Sequence, residues 1–228
     1  LAQHVKTYDV VHLHSVFLWP TLAAARAARA AGVPYILSPR GMLVSDLIRR
    51  KSRALKSLWI SLFERRNVEL AAAIHVTSDV EAVDLQELGL RPRRVINIPN
   101  GIDLPPAANQ FEGAGLQPAQ RPYILSLGRV NWKKGLDRLI PAMAHVPSAN
   151  LVIAGNDEEG YTGTLETLAA NCGVSDRVRF AGPVHGAEKW RLVRGACIFA
   201  MPSYSENFGN SALEAMACGV PVVVTPEV

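Results

Sequence analysis

The chain has 228 residues, with 24 Lys+Arg against 20 Asp+Glu for a formal net charge of +4, and it is 49% hydrophobic but only 19% charged. Disorder needs low hydrophobicity and high charge, so this balance excludes it, and the length suffices for one large core or two small ones. No apolar run approaches the ~20 residues of a membrane-spanning helix.

In chain order, the first half alternates short β-branched runs with longer helical patterns. Residues 9–13, 34–38, 73–77 and 94–98 read as strands, and 18–31, 52–70 and 79–88 as helices. Asp79 is the expected N-cap of the third helix, and Gly32 and Gly89 suit C-terminal caps. Residues 106–121, rich in Pro, Gly and small residues, have the composition of a linker. The second half repeats the rhythm, with strands expected at 123–127, 151–154, 178–181, 197–201 and 220–225. Helices fit between them at 135–145, 162–172, 187–195 and 210–218. Continuously apolar strands alternating with helices imply doubly wound parallel sheets covered on both faces. We therefore expect a two-domain α/β protein with domains at 1–105 and 122–228. In open parallel sheets the ligand sits at the carboxyl ends of the strands.

Two further readings come from the ends and the cysteines. The chain opens at Leu1, not Met, and closes on a buried-looking strand, so we expect a piece of a longer protein cut at both ends. Cys172, Cys197 and Cys218 are far apart and form no C-x-x-C pair. They read as reduced, partly buried thiols of a cytosolic protein, not as disulfides or a zinc site.

The charge is uneven. Residues 1–105 hold 14 Lys+Arg against 9 Asp+Glu, and residues 106–228 hold 10 against 11. The basicity belongs to the first half.

The strand at 123–127 runs into Gly128-Arg129-Val130-Asn131-Trp132-Lys133-Lys134-Gly135. Arg129 offers a bidentate fork and Lys134 a point charge, a pair suited to a diphosphate; the plain alternative is a solvated basic loop. After the strand at 197–201 comes Ser203-Tyr204-Ser205-Glu206-Asn207-Phe208-Gly209-Asn210-Ser211-Ala212-Leu213-Glu214. Here unpaired amides at a helix start can cradle phosphate oxygens, and a carboxylate on each side can accept from sugar hydroxyls. The alternative is that Glu206 caps the helix and Glu214 pairs with a nearby cation. In the first half, His12 and His14 share one face of a strand, with His14 nearer its end. The pair reads as an active-site group, a packed histidine or, least readily, part of a metal site with no third ligand in view.

The segment Glu206-x7-Glu214, within Ser-Glu-Asn-Phe-Gly-Asn-Ser-Ala-Leu-Glu-Ala-Met-Ala-Cys-Gly-Val-Pro, closely resembles the signature of retaining glycosyltransferases of family 4, which have the GT-B fold. Gly128-Arg129…Lys134-Gly135 is similar to that family's diphosphate-binding pair. Pro99-Asn100-Gly101-Ile102-Asp103, His12-Leu13-His14 and Ser38-Pro39-Arg40-Gly41 resemble segments of its N-terminal domain. The resemblance spans nearly the whole chain.

It implies two Rossmann-like domains facing a cleft, and transfer of a sugar from a nucleotide-diphosphate donor with retention of configuration. Arg129 and Lys134 would hold the diphosphate, Glu206 the donor sugar, and Glu214 the ribose. Gly128, Asn207, Phe208, Gly209, Asn210 and Ser211 would line the donor, and Val184 would receive the base. His14 would meet donor sugar or acceptor, and Arg40 an anionic group on the acceptor side. The resemblance further implies no metal and no cofactor, and a glycan, lipid-linked or small-molecule acceptor in polysaccharide or glycoconjugate synthesis. A cytoplasmic enzyme is expected, at the inner face of the cell membrane if its acceptor is lipid-linked.

Leu55, Leu58, Trp59, Leu62 and Phe63 make one apolar stripe at helical spacing, within the strongly basic segment Arg49 to Arg66. Peripheral contact with an anionic membrane is one reading, and an ordinary packed helix with a solvated basic face is the other. Nothing points to nucleic acid. Two rival functions keep the same architecture: a non-catalytic sugar-nucleotide-binding homologue, and a GT-B sugar-nucleotide epimerase, which should lack the Glu-x7-Glu block.

Overall fold

A computed structural model describes residues 2–45, 48, 53–105 and 122–228. The expected linker, and within the basic segment Arg49, Arg50, Lys51 and Ser52, lie outside the described residues. The chain divides into two compact units, Leu1–Asn100 and Gly101–Val228.

The first unit carries four parallel strands in the order β1 (Val11–His14), β2 (Tyr35–Ser38), β3 (Ala73–Val76) and β4 (Val95–Asn97). Register sets what converges. His12 pairs with Ile36, His14 with Ser38, and His75 with Ile96. With side chains alternating at period two, Leu13, Leu37, Ile74 and Val76 fall on the core side, while His12, His14, Ser38 and His75 share the other face. The helix Trp19–Ala31 buries Leu22, Ala25 and Ala28, and ends at Gly32 in the left-handed conformation, as the sequence suggested. The helix Asp79–Glu87 begins where the sequence placed it, but its N-cap is Ser78, one residue before the expected Asp79, with the Ser78 side chain accepting from the Glu81 amide.

The long helix departs from its sequence reading. Arg53–Trp59 and Arg65–Leu70 are α-helical, but a π-helical turn, Ile60–Glu64, joins them. The buried face is Ile60, Glu64, Asn67 and Val68. Leu55, Leu58 and Leu62 stand 68%, 55% and 58% exposed, so the apolar stripe is not a core stripe. The cause is polar: Glu64 is fully buried and accepts from the Phe17 amide at 2.8 Å, the Trp59 indole at 3.0 Å and the Asn67 amide at 3.2 Å. A hydropathy pattern cannot see a carboxylate whose burial is offset by three hydrogen bonds.

The second unit is a five-stranded parallel sheet in the order β7 (Val178–Gly182), β6 (Asn150–Ala154), β5 (Tyr123–Leu127), β8 (Ile198–Met201) and β9 (Val222–Val224). Both faces are covered. Tyr123, Leu125, Val152, Phe199 and Met201 pack on one side with the helices Gly186–Gly195 and Asn210–Ala217. Ile124, Leu151, Ile153 and Ala200 pack on the other with Leu136–Ala142 and Thr162–Asn171. This explains why the strands read as unbroken apolar runs. The chain winds outward from β5 to β7, then returns across β5 to β8. The strand order therefore reverses between β5 and β8, which is where open α/β sheets bind ligands.

Candidate active site

The loops leaving β5 and β8 meet at that reversal. Gly135 ends the short 3-10 turn Trp132–Lys134 at φ +63, where a Cβ would collide with the Pro202 carbonyl. Only glycine permits both this conformation and this approach. Gly155, at φ +147, lies just as close to the Gly128 carbonyl, bringing the β6 loop against the β5 loop. Tyr204 locks the two main loops together. Its amide donates to the Lys133 carbonyl at 2.7 Å, its hydroxyl donates to Asp137 at 2.8 Å, and the Arg138 guanidinium lies 3.6 Å over its ring.

On this frame Lys134 Nζ and Glu206 Oε1 are 2.5 Å apart, with side chains only 19% and 15% exposed. The Ser203 hydroxyl donates to the same carboxylate oxygen at 2.8 Å. Lys134 also lines a small recess with Ser126, Gly128, Arg129, Leu136 and Met201. Arg129, by contrast, is 62% exposed and meets Glu158 at 3.3 Å, an interaction that solvent weakens. Glu206 does not cap the following helix. Asn210–Ala217 starts after Gly209, at φ +68, with no side-chain cap, so its first-turn amides carry the helix's positive end. Asn207, Phe208 and Ser211 flank that start. Glu214 lies within the helix and accepts from Lys189 Nζ at 2.9 Å; Lys189 also sits 4.2 Å over the Trp190 ring. Val184 is buried after β7. Glu214 thus has the cation partner that its plain reading foresaw, and both side chains are largely buried, at 15% and 21% exposure.

The first unit gathers a second cluster at its strand ends. The rings of His12 and His14 are 4.2 Å apart, and His12 and His75 both bond Ser38 Oγ, at 2.8 and 2.9 Å. Arg40, at the left-handed φ of +58, donates to His14 Nδ1 at 3.4 Å and to Asn100 at 2.7 Å. Burial pushes the pKa of His14 below its usual 6.5, and the neighbouring Arg40 and His75 add to this. His12 is lowered as well, by burial first and then by His14, His75 and Arg40. The loop bearing Arg40 is clamped from the helix Asp79–Glu87. Glu81 accepts from the Gly41 and Thr77 amides, at 2.6 and 2.9 Å, and Asp84 accepts from the Ser45 amide at 2.9 Å.

His75, Ser203, Lys189 and the buried carboxylates Glu64 and Glu81 escaped sequence reasoning. Their spacing carries no motif; only fold and register bring them to the sites. Cys197, expected to be partly buried, is exposed, its thiol donating to the Tyr123 carbonyl at 3.1 Å. Among the described residues no group of three or more His, Cys, Asp or Glu is arranged to hold a metal ion, and no helix is long and apolar enough to cross a membrane.

Comparison with known proteins gives the family of this chain. The chain belongs to the glycosyl transferases group 1 family, which residues 109–228 match; residues 1–101 match the glycosyl transferase 4-like domain. It is 35% identical to the D-inositol 3-phosphate glycosyltransferase of Xylanimonas cellulosilytica, over 95% of this chain and 55% of that protein. The enzyme of the same name from Mycolicibacterium smegmatis is 34% identical, over 95% and 51%. The chain thus spans about half the length of the curated relatives it matches. Among solved structures, sucrose-phosphate synthase from Thermosynechococcus elongatus superposes with a TM-score of 0.80 and 25% identity, over 99% of this chain and 58% of that one. Anabaena HepE in complex with UDP and glucose superposes with a TM-score of 0.78 at 21% identity, over 98% and 60%. The fold is GT-B.

Proposed function

We propose that the protein is a retaining glycosyltransferase that moves a sugar from a nucleotide-diphosphate donor to an acceptor hydroxyl. The observation that carries this reading is the Lys134–Glu206 pair at the strand-order reversal, in the loop that leads into the helix Asn210–Ala217. When the bond between the anomeric carbon and the diphosphate breaks, its electron pair stays on the leaving oxygen. Lys134 is positioned to meet that charge, and Arg129 can exchange its exposed contact with Glu158 for the diphosphate. Glu206, oriented by Lys134 and Ser203, serves as acceptor for donor sugar hydroxyls, and Glu214, oriented by Lys189, as acceptor for the ribose. The amides of Phe208, Gly209 and Asn210 would meet sugar and phosphate oxygens, and Val184 main-chain groups the base. These groups supply the charge stabilisation without a metal ion.

On the acceptor side, Arg40 offers a guanidinium already oriented by Asn100 and His14. It suits an anionic acceptor of the kind the relatives' name, D-inositol 3-phosphate glycosyltransferase, describes. A peripheral membrane contact finds support in the exposed Leu55, Leu58 and Leu62. Between residues 53 and 66 the chain has four basic residues and a single acid, Glu64, which is buried. An anionic vesicle bound by the full-length protein, and lost in a Leu58→Ser, Leu62→Ser double variant, would support that contact.

The test of the main reading is release of nucleotide diphosphate when the full-length protein is incubated with candidate donors. Transfer or donor hydrolysis that disappears in Lys134→Ala and Glu206→Ala supports it. Binding without turnover would leave a sugar-nucleotide-binding homologue, and interconversion of the sugar an epimerase.

A further inference from the structure

We propose that His75, Ser38 and His12 form a hydrogen-bond chain of fixed direction that backs the His14 ring, while Arg40 fixes the His14 proton on Nε2 as a donor to a sugar hydroxyl. The direction follows from chemistry. A carbonyl can only accept, so the 3.0 Å contact between His75 Nε2 and the Ile98 carbonyl puts the proton on Nε2. Nδ1 of the neutral ring then carries a lone pair, and the Ser38 hydroxyl, 2.9 Å away, donates to it. With its hydrogen so used, Ser38 Oγ can only accept from His12, 2.8 Å away, which puts the His12 proton on Nε2. One backbone carbonyl therefore sets the state of three side chains on three adjacent strands.

Ser38 is fully buried, so water does not compete for the middle of the chain. The consequence reaches His14 by contact. The His12 ring, held at one end by Ser38, lies 4.2 Å from the His14 ring, tilted by 38°. Arg40 Nε approaches His14 Nδ1 at 3.4 Å, which leaves the imidazole proton on Nε2. Burial and the neighbouring cation disfavour a second proton on His14. His75, Ser38 and His12 are thus positioning residues, and the group they serve is a neutral donor. Such a group can bond a hydroxyl oxygen without competing with Arg40 for an anion. The assignment of a sugar as the partner rests on the proposed function; the direction of the chain does not.

The experiment reads imidazole nitrogen shifts by NMR on the 228-residue chain near neutral pH. His75, His12 and His14 should each report a single Nε2–H tautomer. Ser38→Ala should leave His75 unchanged and turn His12 into a tautomer mixture, whereas Arg40→Met should release His14 alone. In the full-length protein Ser38→Ala should lower kcat roughly tenfold with little change in donor KM. An Nδ1–H tautomer on His75 or His12 in the unaltered chain would overturn the chain itself. An unchanged kcat in Ser38→Ala, with transfer otherwise intact, would overturn its role. A full-length protein with no transfer at all would instead contradict the proposed function, while the spectra still decide the chain.

Discussion

Lys134 and Glu206 stand 72 positions apart in sequence, yet their side chains meet at 2.5 Å across the reversal of strand order. Each leaves a neighbouring strand, Lys134 after β5 and Glu206 after β8. Their loops are held by Gly135 against Pro202 and by Tyr204 against Lys133, Asp137 and Arg138. The ammonium and carboxylate are thus held in register by the loops themselves, which keeps the ordering cost of a ligand bound there low.

The two members of the pair should fail differently. On the proposed function, Lys134→Ala takes a positive charge away from the diphosphate, and it leaves Glu206 with its Ser203 contact. Calorimetry on the full-length protein should show nucleotide diphosphate bound roughly tenfold to a hundredfold more weakly, the range of a charged hydrogen bond. Glu206→Gln removes a competitor for Lys134, so nucleotide diphosphate affinity should hold or rise while transfer falls at least about tenfold. Equal losses of affinity in both variants would be the contrary outcome.

Lys189 orients Glu214 and should act on donor binding, not on chemistry. Lys189→Met keeps much of the contact with Trp190 but frees the carboxylate. Steady-state kinetics should show donor KM raised about tenfold with kcat nearly unchanged, and Lys189→Arg should restore most of it.

Gly135 is the steric hinge of the site. Alanine there would need the left-handed conformation, at about 1 kcal/mol, and would press against the Pro202 carbonyl, at about 1–3 kcal/mol more. Thermal unfolding of Gly135→Ala should fall by roughly 5–15 °C. Gly101→Ala, where a Cβ meets nothing within 4 Å, should leave the midpoint almost unmoved.

The imidazoles of the first unit give stability a pH dependence with a definite sign. The pKa values of His12 and His14 are lowered in the fold from 6.5, so the unfolded chain binds protons first as pH falls. Their contribution is present above 6.5 and lost as pH falls through that value toward the folded pKa. Urea unfolding from about pH 7.5 to about pH 5.5 should show stability declining, and His12→Asn with His14→Asn should make the decline shallower.

Sequence carried the α/β rhythm, because strands covered on both faces read as unbroken apolar runs, as Tyr123–Leu127 does. It also singled out Lys134 and Glu206, in loops after two apolar strands, and the structure brings these two together. It could not carry the face of the helix after Arg53, because the inner positions are Glu64 and Asn67 while leucines point outward. Nor could it find His75. That residue joins His12 and Ser38 only through the register of three parallel strands, and no local pattern encodes register between strands 60 residues apart in sequence. Lys189 is hidden for a similar reason: its partner Glu214 lies on the next helix but one strand away.

Sugar transfer with retention at the Lys134–Glu206 site is the proposal on which the other roles depend. The most direct measurement is proton NMR of the full-length protein turning over an α-linked nucleotide-diphosphate sugar, with the Lys134→Ala variant alongside. The expected result is a new α-glycoside with stoichiometric nucleotide diphosphate, absent in the variant. A β-glycoside, or turnover that survives the loss of Lys134, would contradict it.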